Sequence, residues 1–221
     1  MEALSKSLQP YKGLIGSVAS VVTIAQFFSG GVICNDIYKR KTTAGVSAMP
    51  FVGGLVIGIL MLKYSQMLQD GAMLAVNVAA VILNVLYTAF YYAYSQDKSS
   101  EIHKPLTYGF TLIALLLGYV SWEDPTLVEY RFGFIVTVLM LLLMGSPLIE
   151  LNEIIAKKDA SSIPFPITFS AFIVTFLWLL YGIILLNDFM IIQNVLGLLL
   201  CAAQLVLYWM YPKKLTAVKQ D

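Results

Sequence analysis

Two carboxamides frame the chemistry this chain can offer. Asn77 and Asn194 each stand about two turns inside a long apolar run, 117 positions apart. A primary amide carries one acceptor oxygen and two N–H donors. A ligand rich in hydroxyls both donates and accepts, so a pair of facing amides suits one. The same side chain also links helices inside a membrane, and residue type and depth leave both uses open. Close to each amide lie further groups in matching positions. Trp178 precedes Tyr181 by three residues, which puts both on one helix face. An indole there can stack on the apolar face of a ring-shaped ligand or sit as an anchor at the membrane surface. Its counterpart 117 positions earlier is Met61, a flexible, polarizable side chain that can shape a cavity without orienting a ligand. Tyr64 and Asp70 recur as Tyr181 and Asn187, followed by Asp188.

Little else in the chain could do chemistry. His103 is the only histidine and lies in a polar loop. Cys34 and Cys201 lie in or beside apolar helices and read as small packing hydrophobes. Asn84, with Cys201 as its counterpart, reads as a link between helices. No His/Cys/carboxylate cluster, nucleotide-binding loop or triad occurs. No metal, no other cofactor, no enzymatic activity and no nucleic-acid partner is expected; the net charge of +1 is itself silent on nucleic acid.

The elements that must position these residues are membrane helices. Charged residues make up 12% of the 221 residues, half of the ~25% of a soluble domain, too few to cover a water-facing surface. A bilayer core needs roughly 20 apolar residues as helix. Seven runs qualify: Gly13 to Cys34, Met49 to Leu68, Ala72 to Tyr94, Pro105 to Trp122, Arg131 to Leu151, Ile163 to Leu186 and Phe189 to Tyr211. The N-terminus lacks the order of a signal peptide, so the first span is expected to be retained. Of the 14 Lys and Arg, Lys39, Arg40, Lys41, Lys98, Lys104, Lys157, Lys158, Lys213, Lys214 and Lys219 fall on one side, leaving Lys6, Lys12, Lys63 and Arg131 opposite. That bias predicts an outside N-terminus and a cytoplasmic C-terminus.

A repeat organises the spans. At an offset of 117, Ser29 meets Ser146, Asn35 meets Asn152, Lys41 meets Lys158, Tyr64 meets Tyr181, and Asn77 meets Asn194. A three-residue difference in the intervening loop aligns Pro50-Phe51 with Pro164-Phe165. Polar residues and prolines set this register, so apolar bias alone cannot produce it. Spans one to three recur as five to seven, and a fourth crossing returns the chain so that both units share one orientation. Parallel repeats of this kind occur in transporters. The expected fold is all-α, seven spans as 3+1+3, with residues 13–94 and 128–211 as the repeats, 95–127 as loop and linker helix, and 212–221 as a cytoplasmic tail. The repeat axis would set the two asparagines across a central cavity.

Pro-Phe opening spans two and six, W-x-x-Y-G closing span six and an Asn in spans three and seven together resemble the SWEET family of sugar transporters, within the PQ-loop superfamily. The resemblance covers residues 13 to 211. It implies facilitated, uncoupled transport of mono- or disaccharides by alternating access, with Asn77, Asn194, Trp178 and Met61 at the sugar. It also implies that Tyr64, Asp70, Tyr181 and Asn187 or Asp188 close the outward path. A phenol hydrogen-bonded to a carboxylate or amide suits such a latch, because the contact breaks at modest cost. A membrane-belt role for the tyrosines stays open. Two departures stand out: Ser65 replaces the usual Gly after the tyrosine, and Asn187 stands where Asp is common. Pro50, Pro147, Pro164 and Pro166 weaken helices locally and are candidate hinges, although Pro50 and Pro164 equally suit a helix start. Gly30 holds the position of the family's proline in span one, where a glycine still permits bending. A homo-oligomer in the plasma membrane or an endomembrane is implied as well. The competing readings are a proton-coupled PQ-loop carrier of amino acids and a seven-helix receptor. No Asp, Glu, Lys or Arg lies deep in any span, which disfavours the first; a receptor has no need of a 3+3 repeat.

Overall fold

The computed structural model describes residues 1–143 and 145–211, without the side chains of residues 145–150. The tail at 212–221 therefore lies outside the described residues. Regular structure among the described residues is entirely helical. Span one begins earlier than expected, with α1 (Glu2–Leu8), a 3-10 turn at Gln9–Tyr11, α2 (Lys12–Phe27) and α3 (Gly30–Arg40). Spans two to four are α4 (Met49–Met67), α5 (Gly71–Tyr94) and α6 (Lys104–Trp122). Span five is described as α7 (Val128–Leu143) and α8 (Gly145–Lys157), with Met144 outside the described residues. Spans six and seven are α9 (Phe165–Leu185) and α10 (Asp188–Met210). Six helical stretches are long and apolar enough to cross a membrane, and the divided span five is not among them.

Backbone geometry carries the repeat independently of side-chain identity. The non-glycine residues with positive φ are Lys41 (57°), Gln69 (51°), Lys158 (49°) and Leu186 (51°), two pairs at the 117 offset. Gln69 and Leu186 reverse the chain by the same device: the N–H of Asp70 reaches the Ser65 carbonyl, and that of Asn187 the Gly182 carbonyl. Each is the 6→1 bond of a Schellman turn, which needs a left-handed residue at its centre. Gly45, at φ 78°, lies in the loop that is three residues longer in the first repeat.

The chain divides into two compact units, Gly16–Leu139, and Met1–Ile15 with Met140–Asp221. In the first, α4 and α5 pack antiparallel and α3 packs on α5. Gly58 lets α4 approach Val81, and Gly109 brings α6 onto Val56; a Cβ at Gly109 would lie 2.6 Å from that valine's Cγ2. Ile37, Phe51, Val52, Tyr91 and Ile102 form a small core. In the second unit α9 pairs with α10, and Ile154, Ala160 and Ile163 pack against Tyr208 and Tyr211. Ile154 and Tyr208 are the counterparts of Ile37 and Tyr91, so each unit packs the same repeat positions into its small core. The outward faces stay apolar and open, with Leu14, Val21, Leu115 and Leu199 more than 60% exposed, as lipid contact requires.

The linker helix is tied to span five at its far end. The Glu123 carboxylate accepts from the Tyr119 hydroxyl (2.6 Å), from Arg131 (2.5 Å) and from the Asp124 N–H (3.0 Å). Those three donors, the tyrosine first, hold its acid form back and draw its pKa down to about 2.

Candidate functional site

Each candidate is positioned by a helix cap or a helix face. Asp70 and Asn187 are the N-caps of α5 and α10. Their Oδ1 atoms accept from the N–H of Met73 (3.0 Å) and Met190 (2.9 Å), satisfying one of the donors a helix start leaves open. Asn187 is thus the structural counterpart of Asp70. Asp188 is the first residue of α10 and is exposed.

Two turns inside these caps stand the asparagines. Asn77 Nδ2 donates to the Met73 carbonyl and Asn194 Nδ2 to the Met190 carbonyl, each at 2.8 Å. Both side chains are half-buried. Pinning one N–H to the backbone four residues back orients the amide, whose carbonyl oxygen and second N–H are a further acceptor and donor. Asn84 makes the same turn onto Ala80 (2.8 Å), but its Oδ1 lies where a Cβ on Gly54 of α4 would come within 2.6 Å. That tight fit between α4 and α5 agrees with the helix-linking role expected for it.

Trp178 and Tyr181 share one face of α9, their rings edge to face at 5.5 Å. Trp178 and Met61 are half-buried, Tyr181 and Tyr64 fully buried. The glycine after Tyr181 has a packing reason: a Cβ on Gly182 would lie 3.0 Å from the Met190 Cβ. Ser65 fills the matching position by folding its hydroxyl back onto the Leu62 carbonyl (2.9 Å), so a small side chain meets the same need.

The hinge candidates separate into two kinds. Pro50 lies in the first turn of α4, Pro164 is the N-cap of α9, and Pro166 falls in that helix's first turn. None of these positions loses an intrahelical bond, so their geometry is that of helix starts. Gly30 differs. Between α2 and α3 the N–H groups of Phe28, Ser29, Gly31 and Val32 bond three residues back rather than four, a local tightening of span one. Tyr87 of α5 fills the break: its ring is 2.5 Å from where a Gly30 Cβ would stand, and its hydroxyl donates to the Phe27 carbonyl (3.1 Å). Pro147 falls within α8, but its side chain lies outside the described residues.

Two polar groupings have no counterpart in the sequence reading. In the first unit, Glu101 Oε2 accepts from Ser95 (2.7 Å) and Thr43 (3.3 Å) and lies 3.3 Å from the Tyr91 hydroxyl, which serves the Val46 carbonyl at 2.7 Å. Thr43 and Tyr91 are 1% exposed. In sequence Glu101 is one acid within SQDKSSEIHK, with nothing to mark it from Asp97. In the second unit Ser5 and Gln9 of the N-terminal segment reach the end of α9. Their spacing of four puts them on one face, which was the available signal.

The candidate residues from Gly30 to Asn77 and from Pro147 to Asn194 fall inside a family match that occurs twice. A model described as sugar efflux transporter for intercellular exchange matches residues 13–99 and again 130–216. The chain is 30% identical over 206 residues to "Sugar transporter SWEET1" of Drosophila pseudoobscura pseudoobscura, covering 91% of this chain and 90% of that one. It is 28% identical to the protein of that name from Rattus norvegicus, covering 90% of each. It is also 28% identical over 82% of its length to "Bidirectional sugar transporter SWEET10" of Arabidopsis thaliana, 64% of which is covered. A solved eukaryotic SWEET transporter at 3.7 Å superposes with a TM-score of 0.84 at 23% identity, covering 92% of this chain and 97% of that one, and so shares the fold. The twofold match spans most of the chain, and on it the protein belongs to the SWEET family of multi-pass sugar transporters.

Proposed function

We propose that this protein is a sugar uniporter that moves a mono- or disaccharide such as glucose down its gradient by alternating access. The observation that carries the site assignment is the equivalence of Asn77 and Asn194. Each is two turns inside its cap, half-buried, and pinned by the same 2.8 Å bond. A side chain fixed in this way meets a ligand without first losing rotamer freedom, which lowers the entropic cost of binding. Trp178 offers a face for the sugar ring, and Met61 sets the room opposite. Tyr64 with Asp70 and Tyr181 with Asn187 form the outer latch. The cap role of Asp70 and Asn187 explains why an acid and an amide can both serve, since either supplies the Oδ1 acceptor. Bending of span one takes place at Gly30 and of span five at Pro147. In this reading the repeats are residues 13–94 and 128–211.

The N-terminus faces outward and the C-terminus the cytoplasm, in the plasma membrane or an endomembrane, as the Lys and Arg distribution requires. Copies of the chain associate as a homo-oligomer through their apolar outer faces. Uncoupled transport is favoured over proton coupling because Asp70, the buried carboxylate next to the site, caps a helix at a span end rather than lying midway through one. Proteoliposomes preloaded with unlabelled glucose test the assignment. Labelled glucose should overshoot transiently inside them, as exchange through one carrier site demands; simple filling to a plateau would contradict it.

A further inference from the structure

The end of α9 is completed by residues from the far end of the chain. A helix leaves its last four carbonyls without intrahelical partners. The Schellman turn at Leu186 satisfies two of them, Gly182 through the Asn187 N–H and Ile183 through the Leu186 N–H. The next carbonyl, that of Ile184, accepts from the Ser5 hydroxyl at 3.0 Å and from Gln9 Nε2 at 2.9 Å. One oxygen with two lone pairs is thereby filled twice. Ser5 is 3% exposed and Ile184 1%, and α1 packs along α9. The contact also agrees with the span count: a chain that enters span one and leaves span six on the same side has crossed six times, which includes span five.

This contact lies one turn beyond Tyr181 and three residues before Asn187. Ser5 and Gln9 are not repeated: the positions 117 later are Trp122 and Thr126, in the turn bound up with Glu123 and Asp124. We infer that the N-terminal helix is a strap on the second repeat, and that Ser5 and Gln9 are positioning residues that hold the outer end of span six, and with it Tyr181, in the closed arrangement. Opening to the outside requires the Ile184 carbonyl to give up these donors. The strap therefore biases the carrier toward its inward-facing state and makes it asymmetric, although its two halves are related. This rests on the transporter reading above, with Tyr181 and Asn187 at the outer latch.

Two measurements on the full chain test it. Hydrogen exchange in nanodiscs without sugar reads the strap itself. Ser5→Ala with Gln9→Ala should speed exchange of the amides from Leu185 to Met190 by roughly three- to tenfold, the loss expected for one or two net hydrogen bonds, and Ser5→Thr should restore the slow rate in the Gln9-intact chain. Unchanged exchange there would overturn the strap, whatever the protein transports. Zero-trans glucose fluxes in oriented proteoliposomes then read the bias. Losing the strap should lower KM on the outer face and raise it on the inner face, as expected when the outward-facing fraction grows. Equal changes on both faces, or none, would overturn the bias while leaving the transporter reading intact. If the double variant does not express, Ser5→Ala alone is read in the same two ways.

Discussion

At the scale of single residues, the two asparagines, the two caps and the break at Gly30 each have a bond or a distance behind them. Asn77→Ala and Asn194→Ala should each lower glucose uptake roughly five- to hundredfold at wild-type surface expression, because each removes a fixed donor–acceptor pair worth about 1–3 kcal/mol when it meets a polar ligand in a dry site. If both variants kept normal uptake, these residues would have no place at the sugar. Gly30→Ala places a methyl within 2.5 Å of the Tyr87 ring, an overpacking cost of about 1–3 kcal/mol that should lower the melting temperature in detergent. Adding Tyr87→Leu should recover most of that loss, and failure to recover would mean the strain lies elsewhere. Glu123 gives a pH prediction. Its carboxyl, normally near 4.5, is held down to about 2 by Tyr119, Arg131 and the Asp124 N–H. Folding therefore gains from the charged form above the unfolded value, and that gain disappears as pH falls from about 4.5 to about 2. In thermal melts across this range, Glu123→Gln should flatten part of the acid-side decline. An identical pH profile in the variant would refute the linkage.

At the scale of the helices, the caps set the register. Asp70→Ala removes the bond to Met73 and should cost about 1 kcal/mol, while Asp70→Asn should keep it, since Asn187 does the same task on α10. Equal destabilisation of both variants, measured by thermal melting, would show that the charge rather than the cap matters. The spans, the turn between spans two and three and its counterpart between six and seven were legible from sequence, because polar residues recur there at a fixed offset within apolar runs. The reach of span one back to Glu2 was not legible. Residues 2–12 carry Glu2, Lys6 and Lys12 and precede the apolar run that begins at Gly13, and their helix is held by contacts with α9 that lie 175 and 179 positions away. Propensity and periodicity carry no information at that separation. The proline candidates show the same limit. Sequence gave hinge and helix start equal standing for Pro50 and Pro164, and only the position of each helix's first turn separates them.

For the whole molecule, the legible part was the duplication. It fixed seven crossings, the pairing of Asn77 with Asn194 and the place of the linker helix, and the family match found in two copies agrees with it. What duplication hides is the difference between halves. The Glu101 clamp draws on Thr43, Tyr91 and Ser95, whose counterparts are Ala160, Tyr208 and Pro212. The strap on α9 belongs to the other half. A repeat register shows where two halves match and is silent on contacts that only one of them makes. Uncoupled movement of sugar is the claim on which the site, the latch and the hinges converge. The most direct measurement is the steady-state glucose level inside proteoliposomes, with and without an imposed pH gradient. The internal concentration should settle at the external one in both conditions; accumulation above it in the presence of the gradient would contradict the account.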